Sequence, residues 1–152
     1  EAVSQALSEH RGLMVITNNI NVANHLRGVP STEVVIAGGV VRPSDGGIVG
    51  EAAVDFIRQF KVDFAVIGVS AIDPDGALLD FDFREAKVAQ AIIANARHVI
   101  VVADQTKFTR TAPVRIGHLS QAHSFITDIC PVDSIRQVCT DADTALIETG
   151  AA

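Results

Sequence analysis

The sequence predicts an α/β protein built on a mostly parallel sheet flanked by helices. Hydrophobic residues make up 48% of the chain and mean hydropathy is +0.31, which suits a sheet covered on both faces better than a solvated bundle. Short apolar runs rich in Val and Ile recur along the chain, near-continuous rather than alternating, as in parallel strands buried on both faces. Segments with helical spacing separate them, in the strand–helix–strand order of a right-handed βαβ sheet.

The elements follow in chain order. Residues 1–10 read as a helix whose beginning is cut off. Leu13 to Thr17 is the first strand, and Asn19 to Arg27 is a helix with Ile20, Ala23 and Leu26 on one side. Glu33 to Ala37 is the second strand. Glu51 to Phe60 gathers Ala53, Val54, Ile57 and Phe60 on one helical face. Phe64 to Gly68 is a strand, Arg84 to Ala96 a helix presenting Ala89, Ile92, Ile93 and Ala96, and Val99 to Ala103 the next strand. Ser124 to Thr127 follows. Pro131 suits the first position of a helix that buries Ile135 and Val138, and Thr144 to Ile147 is a weaker final strand. No linker, repeat or low-complexity stretch interrupts the series, so 152 residues make one domain.

Composition excludes several roles. No apolar run reaches the ~20 residues that span a bilayer, and no signal peptide opens the chain, so a cytoplasmic location is expected. Cys130 and Cys139 lack a second Cys or His pair at metal-ligand spacing, and read as buried thiols. No metal and no cofactor is expected. Net charge is −6, and the 12 Lys and Arg form no basic stripe. A module that grips DNA neutralises phosphates with a clustered basic face, so any DNA contact lies outside these residues. The histidines (10, 25, 98, 118 and 123) are dispersed, with no Ser or Cys partner in the sequence to suggest a triad.

Ligands of open parallel α/β sheets sit beyond the carboxyl ends of the strands. Those ends carry Thr17-Asn18-Asn19, Gly38-Gly39 leading to Arg42 and a turn-rich stretch from Pro43 to Gly47, Gly68 and Ser70, then Asp104-Gln105-Thr106-Lys107, and Asp128. Glycine-loosened backbone, helix starts and a Lys suit an anion. Thr17-Asn18-Asn19 is equally a helix cap, Gly38-Gly39 an ordinary turn, and Lys107 a solvated side chain. In Asp80-Phe81-Asp82-Phe83-Arg84-Glu85-Ala86-Lys87, Asp82 and Glu85 fit a capping box. The same acids fit binding of sugar hydroxyls, or base and acid work at a sugar carbon.

Five segments in register resemble the effector domain of the DeoR family of bacterial repressors: Val15-Ile16-Thr17-Asn18-Asn19, Ala37-Gly38-Gly39, Gly46-Gly47-Ile48-Val49-Gly50-Glu51-Ala52, Gly68-Val69-Ser70-Ala71-Ile72-Asp73 and Ala103-Asp104-Gln105-Thr106-Lys107-Phe108. The resemblance runs from about Leu13 to Asp128. It implies a sensor for a phosphorylated sugar or polyol, with glycerol 3-phosphate favoured, whose binding releases operator DNA held by a separate winged-helix domain. It also implies a homo-oligomer, a dimer or tetramer. Thr17, Asn18, Gly38, Gly39, Gly68 and Lys107 would then line the phosphate. Asp80, Asp82, Glu85 and Lys87 would face hydroxyls or order the loop above them, with Arg42 as a further candidate.

Two departures stand out. Thr106 replaces the family's usual Ser before the Lys, keeping the hydroxyl. The family's DNA-binding domain, and a first strand ending in an Asp-x-Gly-Thr-Thr phosphate loop, have no counterpart here. The expectation is a sensor lacking its first strand, with weak or no effector binding by these residues alone. The family's fold is similar to that of ribose-5-phosphate isomerase, and Arg84-Glu85-Ala86-Lys87 echoes the isomerase helix that carries a catalytic Glu. The isomerase's acidic turn and glycine run read Ser70-Ala71-Ile72-Asp73 and Asp75-Gly76-Ala77-Leu78 here, so an enzyme is the lesser alternative. A purely oligomerising module is the other. Phe56, Phe60, Phe64, Phe81, Phe83, Phe108 and Phe125 could serve its interface, although most read as core.

Overall fold

A computed structural model describes residues 2–150. The chain divides into two compact units, Glu1–Gln59 and Phe60–Ala152, and no change of composition marks the division. Of the helix expected over residues 1–10, Ala2–Leu7 forms (α1), while residue 1 lies outside the described residues.

In the first unit β1 (Leu13–Thr17), α2 (Ile20–Leu26) and β2 (Thr32–Ile36) make a βαβ step. The two strands pair in parallel, from Leu13 opposite Thr32 to Thr17 opposite Ile36. Ala23 and Leu26 are the buried residues of α2, one turn apart on the same face. Next comes an antiparallel hairpin of β3 (Val40–Val41) and β4 (Ile48–Val49), whose strands are too short to leave a periodic signal. In α3 (Glu51–Ile57), Ala53, Val54 and Ile57 are buried as their spacing requires, but the helix stops before Phe60.

The second unit runs β5 (Val62–Gly68), β6 (Ala71–Ile72), β7 (Ala77–Asp80), α4 (Phe83–Ala94), β8 (Ala96–Val102), a 3-10 turn (Gln105–Thr109), β9 (Val114–His118), a second such turn (Leu119–Gln121), β10 (Ser124–Thr127), α5 (Asp133–Asp141) and β11 (Ala145–Glu148). A four-stranded parallel sheet has the order β11-β10-β8-β5, and β6, β7 and β9 form a separate antiparallel sheet. Asn95 closes α4, its Nδ2 donating to Ala91 O at 2.7 Å. Ala96 therefore opens β8 instead of ending the helix. Pro131 sits two residues before α5, not at its first position, because Val132 is the cap residue.

Ile67, Val101 and Phe125 share one face of this sheet and pack with Ala86 and Ala89 of α4 and Ile135 and Cys139 of α5. Cys130 and Cys139 are buried free thiols, as expected. The opposite face behaves differently. Phe64 is 66% exposed, Val66 42% and Ile147 46%, so burial in β5 alternates where the apolar run had suggested cover on both sides. Among the seven phenylalanines Phe125 alone is fully buried, and Phe64, Phe81 and Phe83 are exposed.

Phe125 has zero exposure and takes Phe108 edge-on, ring centroids 6.1 Å apart. Phe125→Ala is expected to lower unfolding free energy by about 3–5 kcal/mol, read as a shift of the urea midpoint.

Candidate functional site

In the first unit the carboxyl ends of β1 and β2 adjoin, with the Ala37 N–H donating to Thr17 O at 2.9 Å. Thr17 Oγ1 accepts from Asn19 N–H at 3.1 Å. Asn19 caps α2, its Oδ1 accepting from the N–H groups of Asn21 (2.9 Å) and Val22 (3.2 Å). The tip of the β3–β4 hairpin is tied to this start. Asn19 Nδ2 and Asn21 Nδ2 both donate to Asp45 O, Ile20 N–H donates to Gly46 O at 2.9 Å, and Asn18 Nδ2 donates to Ile48 O at 3.1 Å. The capping alternative for Thr17-Asn18-Asn19 is therefore realised, and the Asn18 side chain holds β4.

Arg42 and Asp45 form an ion pair across the hairpin tip, where Asp45 Oδ1 also accepts from Gly47 N–H at 3.0 Å. Desolvation pushes the Asp45 carboxyl up, but the Gly47 N–H and the Arg42 guanidinium outweigh it and hold the pKa below the ordinary 3.8. Gly39 has φ +150°, and a Cβ there would stand 2.6 Å from Val49 O, so only glycine fits against β4. Gly38 is exposed with nothing near its Cβ position, leaving its backbone accessible.

In the second unit Gly68 ends β5 and is exposed. Ser70 N–H donates to Leu79 O at 3.0 Å, tying the following loop to the end of β7. Asp80, 9% exposed, accepts from Asp82 N–H at 3.1 Å. Asp82 caps α4 by accepting from Arg84 N–H at 2.8 Å, and pairs with the Arg84 guanidinium at 3.0 Å. Glu85 lies in the first turn of α4. Lys87 is two residues on, about 200° around the helix, and shares its side with Phe83 and Arg84. Asp80, Asp82 and Glu85 thus collect at one helix start, and Lys87 follows two residues further along α4.

Lys107 lies on the Gln105–Thr109 turn, which packs against β6. Its Nζ is 3.9 Å from Asp104 Oδ2. Asp104 caps that turn, accepting from Thr106 N–H at 2.9 Å and from the Thr106 hydroxyl. The Thr106 hydroxyl is the main cause that holds the Asp104 carboxyl below its ordinary pKa. Asp128 accepts from Gln105 N–H at 2.7 Å and Gln105 Nε2 at 3.2 Å. The sequence places Asp104, Gln105 and Asp128 at strand ends without giving any of them a role of its own. Only the Asp104-x-Thr106 spacing, typical of a side chain capping the backbone two residues on, carries a local signal.

Two His–Ser contacts exist that the sequence did not suggest. His98 Nε2 is 3.0 Å from Ser124 Oγ, near the amino ends of β8 and β10, away from the carboxyl-end loops. His118 Nε2 donates to Asp75 O at 2.7 Å, so Nδ1 is the acceptor for the N–H and hydroxyl of Ser120. That ring fastens the β6–β7 turn to Leu119–Gln121, and a Cβ on Gly76 would lie 2.8 Å from its Nε2. Asp75 Oδ1 accepts from Ala77 N–H within the same turn. These are structural ties. Among the described residues no group of His, Cys, Asp and Glu could hold a metal ion.

Asn19→Ala is expected to cost about 1 kcal/mol of stability through loss of the cap. Asn19→Asp keeps the cap acceptor but not the donor to Asp45 O, so it recovers part of the loss in thermal denaturation. The contribution of Asp45 is complete above its unfolded pKa near 3.8 and is lost as pH falls through the lower folded value. The stability difference between wild type and Asp45→Asn should therefore shrink as acid titrates that carboxylate.

The family model for the DeoR C-terminal sensor domain matches residues 1–129. The chain is 48% identical over 93% of its length to the glycerol-3-phosphate regulon repressor of Escherichia coli K12, covering 56% of that protein. It is 50% identical over 86% of its length to the repressor of the same name from Haemophilus influenzae, covering 51%. Against the HTH-type transcriptional repressor CsqR of E. coli K12 it is 38% identical over 97% of its length, covering 56%. The chain thus spans about half the length of these curated relatives. It belongs to the DeoR C-terminal sensor domain family.

Proposed function

We propose that this chain is the effector-sensing part of a DeoR-type transcriptional repressor, and that it binds a phosphorylated polyol or sugar to release operator DNA. The identity of 48% with the glycerol-3-phosphate regulon repressor, sustained over 93% of the chain, carries this proposal and favours glycerol 3-phosphate. The net charge of −6 supports assigning operator contact to other residues of the protein. Repressor relatives support a binding role over catalysis. The ties on His118 and Asp75 give an isomerase mechanism no support.

In this proposal Thr17, Asn18, Gly38 and Gly39 of the first unit, and Gly68 and Lys107 of the second, are each candidates for phosphate contact. Asp80, Asp82, Glu85 and Lys87 bind hydroxyls or order the loop at the start of α4. Lys107 supplies a charge that a phosphate can share with Asp104. Assembly as a homo-oligomer is part of the same proposal, supported by the exposure of Phe64, Phe81 and Phe83. No described helix is long and apolar enough to cross a membrane.

The test uses the full-length protein and its operator. Glycerol 3-phosphate should weaken operator binding, and Lys107→Ala should require about tenfold to a hundredfold more effector for the same release, the range for a charge-assisted hydrogen bond. If no member of a panel of polyol and sugar phosphates changes operator affinity, sensing is excluded and oligomerisation remains.

A further inference from the structure

We propose that Asp128 is the positioning residue for Lys107, latching the Gln105–Thr109 turn to the neighbouring strand so that the Lys107 ammonium is held ready for an anionic effector. This rests on the sensing function proposed above.

The geometry begins where the β8–β10 ladder stops. Its last strand pair is Val102 with Ile126, and Ala103 N–H still donates to Ile126 O at 3.1 Å. Two residues further on no backbone partner continues the pattern. The Asp128 carboxylate takes over, with Oδ1 accepting from Gln105 N–H at 2.7 Å and from Thr127 Oγ1 at 3.2 Å, and Oδ2 accepting from Gln105 Nε2 at 3.2 Å. The Asp128 backbone is fixed on its other side, since Gly150 N–H donates to Asp128 O at 3.0 Å. Asp128 therefore joins the ends of three strands to the first residue of the turn that carries Lys107.

A five-residue 3-10 turn has poor internal hydrogen bonding and depends on outside anchors. Asp104 ties the turn to its own entry through Thr106, and Phe108 anchors the far side against Phe125. Neither fixes the entry residue to the adjacent strand, as Asp128 does. The Ile129 N–H first, then the Gln105 bonds, hold the Asp128 carboxyl below its ordinary pKa, so it is an anion at neutral pH and a strong acceptor. Lys107 keeps a side chain 21% exposed, with its ammonium at the long distance of 3.9 Å from Asp104. An effector phosphate could draw it in without breaking a close pair. For a cation used this way, the position of its backbone sets the affinity.

The full-length protein is titrated with glycerol 3-phosphate, and with a panel of polyol and sugar phosphates if that fails, in wild type, Asp128→Ala, Asp128→Asn, Lys107→Ala and the Asp128→Ala/Lys107→Ala double variant. Asp128→Ala should weaken binding about tenfold and speed hydrogen exchange at the Gln105 amide, with Val101 still protected. Asp128→Asn keeps an oxygen for the Gln105 N–H and should recover most of the affinity. The double variant should bind within about twofold of Lys107→Ala alone, because a residue acting through Lys107 has nothing left to position. The inference is overturned by effects of the single variants that multiply, or by an Asp128→Ala protein that melts lower yet binds as wild type does. A wild type that ignores every polyol and sugar phosphate overturns the sensing function and this inference together. A responding wild type matched by Asp128→Ala overturns the inference alone.

Discussion

Where a parallel ladder ends, its last N–H and C=O groups need new partners, and this constraint shapes each loop of the chain that could meet a ligand. At β1 and β2 the Ala37 N–H reaches Thr17 O, after which Thr17, Asn18 and Asn19 supply side-chain partners. At β8 and β10 the Ala103 N–H reaches Ile126 O, after which Asp128 takes Gln105. At β10 and β11, Thr149 N–H reaches Thr127 O and Gly150 N–H reaches Asp128 O. Parallel pairing thus concentrates Asn, Asp and Thr at one end of the strands before any ligand is considered.

The same constraint separates residues that build the loops from residues those loops present. Asn19 caps α2 with its own oxygen, so the first helix amides there already have an acceptor. Asp45, Asp82 and Asp104 each accept from a main-chain N–H two residues on. What these ties present is sparser: the open backbone at Gly38, the exposed Gly68 and the Lys107 ammonium. The net charge of −6 opposes a polyanion, which is consistent with the small anionic effector proposed above.

The sequence made the long elements legible through two patterns, continuous apolar runs for strands and helical spacing for helices. β1, β5, β8 and β10 follow from the first, and the buried positions of α2, α3 and α4 from the second. Of the β3–β4 and β6–β7 hairpins only the turns were legible, at Pro43 to Gly47 and Asp73 to Gly76, since strands of two residues such as Val40–Val41 and Ala71–Ile72 have no period to read. β9 was missed because Arg115, Gly117 and His118 break its apolar run. The exposure of Phe64 and Val66 could not be foreseen, because a continuous apolar strand does not say whether anything covers its second face. At the site, caps joining residues two or three apart were readable in Thr17-Asn18-Asn19 and at Asp82. The Asp128–Gln105 bond spans 23 residues, and the topology alone brings it together.

The two kinds of charge in the second unit suggest which ligand chemistry it can accept. Asp80 and Asp82 stand at the start of α4, and both accept backbone N–H groups. A carboxylate is an acceptor, which hydroxyl donors satisfy and a phosphate does not. Lys107 has the opposite preference. A bare phosphate would use the lysine alone, while an uncharged polyol would meet only the acceptor capacity the acids keep beyond these ties. The effector class proposed above, with a phosphate at one end and hydroxyls at the other, offers a partner to each. Under the proposed sensing role, the order of the Lys107 turn bears on specificity as well as affinity.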